Sequence, residues 1–543
     1  MRSSTEPAPP ARPGRARGPG SCRPLRCAAA FLAAGLPSLA AAQAPPQPPR
    51  FAVLEYRVQG NTVLPGLAVE EAVYPHLGPG RTADDIEKAR AALEDAYARA
   101  GYPTVSVELP QQRVTAGIVT FRVVERPVGR LRVANARYFS PADIRREAPS
   151  LAEGRVPNLN AVQRDIVALN RIPDRRVTPE LRAGAAPNTV DVDLNVQDGF
   201  PLHASVELNN RQSANTRELR TAASVRYDNL WQRGDSLNFG FQTAPQDPRN
   251  ATVYSGSYLM RLPGERGASL LASFVRSDSN VATVGGSAVI GRGTIVGLRG
   301  IIPLGTGQGF IHTLNVGMDF KQFDEGLLLG ADRTAVPVTY APVSASWQGL
   351  WNGERSTTQA SATITAGLRG IGSDTVDFER KRAFANPSWM HLRGDVSHTQ
   401  RLPLDFVAYG NVEGQLSRDA LISNEQFAGG GLDSVRGYFE VETLGDYGVT
   451  GQLELRSPSF APRLGAPFDE VRLHAFVDGG SLTLNRPLPQ QHRTATLLSA
   501  GGGARMRLFG HVNGTVEGAT VLRDGPLTPA GSTRALFRVW GEF

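Results

Sequence analysis

Cysteine is almost missing from this chain, and both copies, Cys22 and Cys27, lie close to the N-terminus. Lysine is scarce as well. Lys88, Lys321 and Lys381 sit in no glycine-rich phosphate loop, which excludes a P-loop nucleotide site. Neither the HExxH pattern of zinc hydrolases nor the GxSxG elbow of serine hydrolases occurs. The eight histidines are scattered without metal-ligand spacing. These gaps argue against an enzyme and give no reason to expect a cofactor, a metal or a catalytic residue. Long apolar runs are lacking too. After the first 45 positions no window of about 18 apolar residues appears, so transmembrane helices are excluded. A β-barrel is not, because its strands alternate in polarity and average out in any hydropathy window.

The N-terminal segment reads as a secretory signal. Arg2, Arg12, Arg15, Arg17, Arg23 and Arg26 make a basic start, followed by an apolar stretch from Cys27 to Leu39 and a small-residue cleavage pattern, Ala40-Ala41-Ala42. Residues 1–42 are therefore expected to be a signal peptide and 43–50 a Pro-rich linker. Taking six Arg and one Glu from 58 basic and 51 acidic residues lowers the net charge from +7 to about +2. The high pI then belongs partly to targeting and gives no argument for nucleic acid. Both cysteines leave with the signal, which excludes disulfides and thiolate metal sites in the mature chain.

Residues 51–198 carry a pattern that occurs twice. Residues 52–58 alternate like a strand and end at the turn Gly60-Asn61, and a short helical run follows over about 66–77. Thr82 and Asp85 form a capping box before Ile86, Ala89, Leu93 and Tyr97, which share one helix face. Gly101 and Pro103 stop that helix, and residues 104–109 and 117–124 read as strands. About 75 residues later Ala134-Asn135 echoes the turn and Ser140 with Asp143 reads as a second capping box. Leu159, Val162, Ile166 and Leu169 make a second stripe, and residues 175–182 and 189–196 close as strands. Two copies of a small α+β domain are expected, over 51–125 and 126–198, against the alternative of one 150-residue domain.

From 199 to 543 helical periodicity gives way to alternation. Leu219, Thr221, Ala223, Val225 and Tyr227 share one face, with Glu218, Arg220, Arg226 and Asp228 on the other. The runs over 236–242 and 451–456 behave alike, and stretches such as 245–250, 263–267 and 305–309 read as turns. Runs this long with a charge-rich second face fit lipid outside and a wet lumen inside better than a soluble sandwich. At roughly 21 residues per strand and turn, about 340 residues make around 16 antiparallel strands.

Two stretches break that background. One is GGGLDSVRGY over 429–438, inside a long loop near 418–447; the other is Phe476-Val477-Asp478-Gly479-Gly480. By parity Val471, Leu473, Ala475 and Val477 face lipid, so Arg472, His474, Phe476 and Asp478 face the lumen. A carboxylate in a polar lumen favours a cationic partner, and a loop folded inward could deliver Arg436 in bidentate geometry. The plainer alternative is an ordinary surface turn and an ordinary lumen charge. His474 reads as a lumen side chain rather than a ligand. Arg393-Gly394-Asp395 spells an adhesion tripeptide but falls in a strand-like run.

VRGY followed some 40 residues later by FVDGG resembles the signature of the POTRA-barrel superfamily. The matching positions are Val435, Arg436, Gly437 and Tyr438, with Phe476, Asp478 and Gly480. The resemblance implies that the loop bearing Arg436 enters the barrel and pairs with Asp478, a gating motif in the lumen. Two POTRA-like modules and this length are similar to the two-partner secretion (TpsB, ShlB/FhaC/HecB-like) branch rather than to outer-membrane insertases. The implied fold class is α+β followed by all-β: two tandem periplasmic POTRA-like domains, then a transmembrane antiparallel barrel. The implied function is recognition of an unfolded exoprotein carrying an N-terminal secretion domain, and its passage to the surface of a Gram-negative outer membrane. An insertase is the alternative, and a passive porin a weaker one. Phe543, on a strand with Phe537 and Val539, resembles the C-terminal signal read by the barrel-assembly machinery. Outer-membrane lipid is the remaining expected partner. Many family members carry an N-terminal helix that plugs the pore. Here the first module starts about nine residues after the expected cleavage, so the inward loop is the expected seal.

Overall fold

The computed structural model describes residues 49–543 apart from 115, 215, 249–250, 265–266, 279–280, 285–286, 291, 308 and 330–331. The expected signal peptide and nearly all of the Pro-rich linker lie outside the described residues. The first module runs β1 (Glu55–Gln59), α1 (Gly66–Val73), α2 (Ala83–Arg99), β2 (Ser106–Glu108) and β3 (Ile118–Val124). The second runs β4 (Val128–Ala134), α3 (Pro141–Arg146), α4 (Leu159–Leu169), β5 (Arg175–Ala183) and β6 (Val190–Asp198). Each has a three-stranded sheet in which the last strand lies between the other two, parallel to the first and antiparallel to the second.

The repeat extends to single atoms. In the first module the Glu125 carboxylate accepts from the backbone amides of Thr62 and Val63, just after the turn at Gly60-Asn61. In the second, Asp198 Oδ2 accepts from the amides of Arg137, Tyr138 and Phe139, just after Asn135. A carboxylate at or just past the end of the last strand thus satisfies amides that the turn leaves without backbone partners. Each module buries its own apolar core, Leu93, Tyr97, Val119 and Phe121 in one and Ile144, Leu169, Val192 and Leu194 in the other. Helix ends join them: Asn158, the N-cap of α4, donates to Ala100 O, and Leu159 N donates to Gly101 O.

Two details differ from the sequence expectation. The capping box at Thr82 is complete, and the two Thr82 donors hold the Asp85 carboxyl below its usual range. At Ser140 only half of it forms. Ser140 accepts from Asp143 N, while the Asp143 side chain turns to Arg146, one helical turn on. Leu159 also leaves the buried stripe, because α4 begins there and Asn158 turns its first residue outward.

Sixteen antiparallel strands then close into a barrel. They are β7 (Leu202–Asn209), β8 (Arg220–Leu230), β9 (Asp235–Thr243), β10 (Thr252–Arg261), β11 (Ser269–Ser277), β12 (Gly293–Gly307), β13 (Phe310–Leu329) and β14 (Asp332–Asn352). The second half is β15 (Ser356–Gly372), β16 (Met390–Arg401), β17 (Val407–Ser417), β18 (Tyr447–Arg456), β19 (Phe468–Thr483), β20 (Thr494–Leu508), β21 (Val512–Val521) and β22 (Thr533–Glu542). The seam pairs β22 with β7, Arg538 opposite Asn209 through Glu542 opposite Ser205. Closure leaves no edge, so every strand can satisfy its backbone within a bilayer. Alternation sets the two faces. Val316, Met318 and Phe320, or Leu453 and Leu455, point outward and are exposed, while Asp319, Gln452 and Glu454 point inward and are buried.

The second module docks on the barrel. Tyr138 O accepts from Asn229 at the end of β8 and from Gln232 in the β8–β9 turn, and His203 Nε2 lies 2.9 Å from Asp174 Oδ2. At the far end of the barrel, α5 (Thr375–Lys381) turns into the mouth. Its Phe378 is fully buried with Trp389, Leu421 and Ile422 against Phe323, Val338 and Tyr340.

Candidate functional site in the barrel lumen

Between β17 and β18 the chain does not turn back at once. Residues 418–446 fold into the lumen around a small hairpin, in which 427–429 pair with 443–445. Its tip is 430–442, the glycine-rich stretch. Gly430 and Gly431 take positive φ values of 101° and 106°, a conformation open to glycine at little cost.

Arg436 ends at the wall, with its side chain 4% exposed. Its Nε donates to Asp478 Oδ2 at 2.7 Å, its Nη2 to Asp478 Oδ1 at 2.8 Å, and its backbone N to Oδ2 at 3.1 Å. The fork is bidentate, the geometry in which a guanidinium and a carboxylate fix each other's direction. Phe476, two residues before Asp478 on the same face, lies under the guanidinium with its centroid 3.5 Å from the central carbon. Gly437 follows with φ 94°, and a Cβ there would sit 3.3 Å from both Ala519 and Val521, so the tip lies against β21. Val435 and Tyr438 fill a small apolar cluster with Leu497 and Val521. A Cβ on Gly480 would come within 2.8 Å of the Thr450 methyl. The sequence-expected residues of this group therefore meet in one place.

The geometry adds partners that spacing did not reveal. Arg436 Nη1 also donates to Glu454 Oε2 at 3.1 Å on β18 and to Glu517 Oε1 at 3.3 Å on β21. Arg456 and Arg505 pair with Glu454, and His474 Nε2 lies 2.9 Å from Glu517 Oε1. Three carboxylates thus face three guanidiniums and one imidazole. Glycines on β20 make the room: a Cβ on Gly501 would strike the Phe476 ring at 2.5 Å, and one on Gly503 the Glu517 backbone. Beside the tip a lumen cavity of about 300 Å³ is lined by Arg436, Glu454, Arg505 and Glu517 among others.

Other contacts hold the far end of the tip and the root of the loop. Glu442 accepts from the amides of Leu527 and Thr528 in the β21–β22 connection, and Glu440 accepts from Arg211 Nε. At the root, Asp446 pairs with Arg382, and Glu425 takes Lys321 at 2.7 Å and the Tyr340 hydroxyl at 2.6 Å. Phe543 stands apart from all of this. It is exposed beyond β22 and exchanges backbone hydrogen bonds with Ala204 across the seam. Arg393-Gly394-Asp395 lies within β16, and Arg393 donates to Gln415.

Residues 188–506 match the family described as haemolysin secretion/activation protein ShlB/FhaC/HecB, and residues 51–126 match the ShlB-type POTRA domain. The outer membrane transporter CdiB of Dickeya dadantii (strain 3937) is 25% identical over 460 residues, 80% of this chain and 77% of that protein. Among solved structures, CdiB from Escherichia coli superposes with a TM-score of 0.64 at 20% identity, covering 94% of this chain and 93% of that one. BamA from Haemophilus ducreyi lacking POTRA domains 1–3 gives 0.53 at 14% identity over 91% of this chain and all of that one. At such identities these two superpositions speak for the fold alone.

Proposed function

The chain belongs to the haemolysin secretion/activation family ShlB/FhaC/HecB, and from that premise we propose that it captures an unfolded exoprotein in the periplasm with its two modules and threads it through the barrel. It is an outer-membrane transporter of the two-partner secretion type, with its POTRA modules in the periplasm. The reading divides the chain into a signal peptide (1–42), a linker (43–50), two modules (51–125 and 126–198) and the barrel (199–543). The cargo is a large exoprotein of the haemolysin or adhesin type with an N-terminal secretion domain. No catalytic step is involved. Phe543 serves as the signal for barrel assembly, and lipid surrounds the outward apolar band.

The observation that carries the gating part is the seat of Arg436, held by three carboxylates from three strands. An extended cargo segment would bind a module by main-chain hydrogen bonds, which tolerate varied sequence. Withdrawal of the tip then opens the lumen, and folding of the cargo outside gives transport its direction. No nucleotide is needed.

Deleting residues 51–125 tests the receptor role. The barrel's contacts with the modules run through Tyr138 and Asp174, both in the second, so the first can leave without undocking it. The expected result is a heat-modifiable barrel at normal membrane levels and no export. Normal export by the shortened protein would end the receptor reading.

A further inference from the structure

When the tip withdraws, Arg436 leaves behind three carboxylates with Arg456, Arg505 and His474 beside them. We propose that this vacated seat is a divalent transition-metal site, with Glu454, His474 and Glu517 as ligands, filled only while the loop is out. The inference rests on the reading that the loop moves.

Geometry supplies the first argument. One ligand atom from each of the three residues falls within 4.8 Å of the others. A tetrahedral zinc site with bonds of about 2.0–2.1 Å needs ligand separations of about 3.3 Å, which small side-chain rotations supply. Arg436 Nη1, at 3.1 Å from Glu454 and 3.3 Å from Glu517, already occupies the position of a bound cation. The ligands stand on β18, β19 and β21, so the site is built on strands rather than on a loop.

The second argument is unmet bonding. Glu517 Oε2 and His474 Nδ1 are buried and make no hydrogen bond among the described residues. Glu517 meanwhile crowds its other oxygen with Arg436 and His474. Buried carboxylate oxygens rarely go unused, and a metal ion is one of the partners that uses them. The mixed imidazole and carboxylate set favours zinc or nickel over magnesium or calcium. The adjoining cavity leaves room for an ion beside Glu454 and Glu517. Because ion and guanidinium compete for the same atoms, bound metal stabilises the withdrawn loop by mass action.

The test titrates zinc alone into the full-length, untagged protein in detergent. Arg436→Met keeps the volume of the stem, Arg436→Ala serves as a second variant, and heat-modifiable mobility reports folding of each. One zinc per chain should bind either variant at least about tenfold more tightly than wild type. Adding His474→Gln should weaken binding by about 10- to 100-fold. In planar bilayers, where wild type itself is used, zinc should lengthen open events, and His474→Gln alone should abolish that response. Equal zinc affinity in wild type and Arg436→Met, or indifference to His474→Gln, overturns the site. Zinc binding with the expected His474 dependence, but unchanged open times and normal export by Arg436→Ala, would instead overturn the moving loop and leave the site standing.

Discussion

The inward loop is fastened twice, at its tip and at its root, by different physics. At the tip Arg436 meets Asp478, Glu454 and Glu517 in a polar lumen, beside a cavity of about 300 Å³. At the root Leu421 and Ile422 are buried with Phe378, Trp389 and Tyr340, and the ion pairs of Asp446 and Glu425 lie next to that apolar core. Pulling the tip out lets water and ions solvate every charge it uncovers, so part of the lost attraction is recovered. Pulling the root out exposes apolar surface at about 25 cal/mol per Å² with no such recovery. On the proposed gating, the tip is the releasable end and the root the anchor about which it would swing. In two-partner secretion terms, the cargo would have to dislodge only the tip, with its ion cluster and the small apolar contact of Val435 and Tyr438.

The largest expected effect separates two substitutions at the tip. Arg436→Ala leaves three carboxylates facing two guanidiniums, whereas Asp478→Ala leaves Arg436 still paired with Glu454 and Glu517. Removing one partner of a buried pair costs about 3–5 kcal/mol, less where water reaches it. Export should collapse in Arg436→Ala and fall less in Asp478→Ala, with membrane levels near normal in both, because closure of the strands holds the barrel together. The double variant should be little worse than Arg436→Ala alone, as expected of contacting residues. Export assays with quantified outer-membrane levels decide this, and equal, additive losses would dissolve the special position of Arg436.

A smaller effect is expected from the root. Phe378→Ala empties a fully buried site, and such truncations cost about 3–5 kcal/mol. Protease nicking should appear within 373–389 and 418–426, and bilayer conductance should rise, while the Arg436 seat keeps export partly intact. If Phe378→Ala abolished export as completely as Arg436→Ala, the division into anchor and release would be wrong.

The tip was legible in the sequence and the root was not, for a physical reason. Arg436 sits in a contiguous stretch that interrupts strand alternation, and parity along its own run aims Asp478 inward. The barrel was legible on the same basis, since a period of two survives sixteen strands. Alternation assigns a face but not a neighbour. Glu454 was on the polar face of a recognised run, yet its proximity to Arg436 depends on register, with Glu454 opposite Phe476 and Gln452 opposite Asp478. Glu517 comes near because it stands opposite Gly503, which stands opposite His474. The run Gly501-Gly502-Gly503 was the available signal for a crowded lumen at that height. At the root, Lys321, Tyr340, Arg382, Glu425 and Asp446 come from separate parts of the chain and belong to no motif. The part of α5 in closing the mouth was hidden for the same reason, and the inward loop is not alone in filling it.

The smallest change probes whether the tip is held by charge alone. The Tyr438 hydroxyl donates to Arg523 O at 2.5 Å and accepts from Leu498 N at 3.1 Å, tying the VRGY turn to β20 and to the connection after β21. Tyr438→Phe keeps the ring in its apolar cluster with Val435, Leu497 and Val521 and removes only the hydrogen bonds of the hydroxyl, including a further contact with Leu498 O at 3.2 Å. A neutral hydrogen bond contributes about 0.5–1.5 kcal/mol, and an amide left unpaired when buried costs about 1–3 kcal/mol. The closed state carries this loss. The withdrawn state does not, because there the hydroxyl and the freed amide are both open to lumen water. The equilibrium therefore moves toward withdrawal, by about 1 kcal/mol or roughly fivefold. Single-channel records should show brief openings several times more frequent than in wild type, with export unchanged, since the Arg436 seat is intact. Records identical to wild type would mean that the guanidinium and its three carboxylates hold the tip without help from Tyr438.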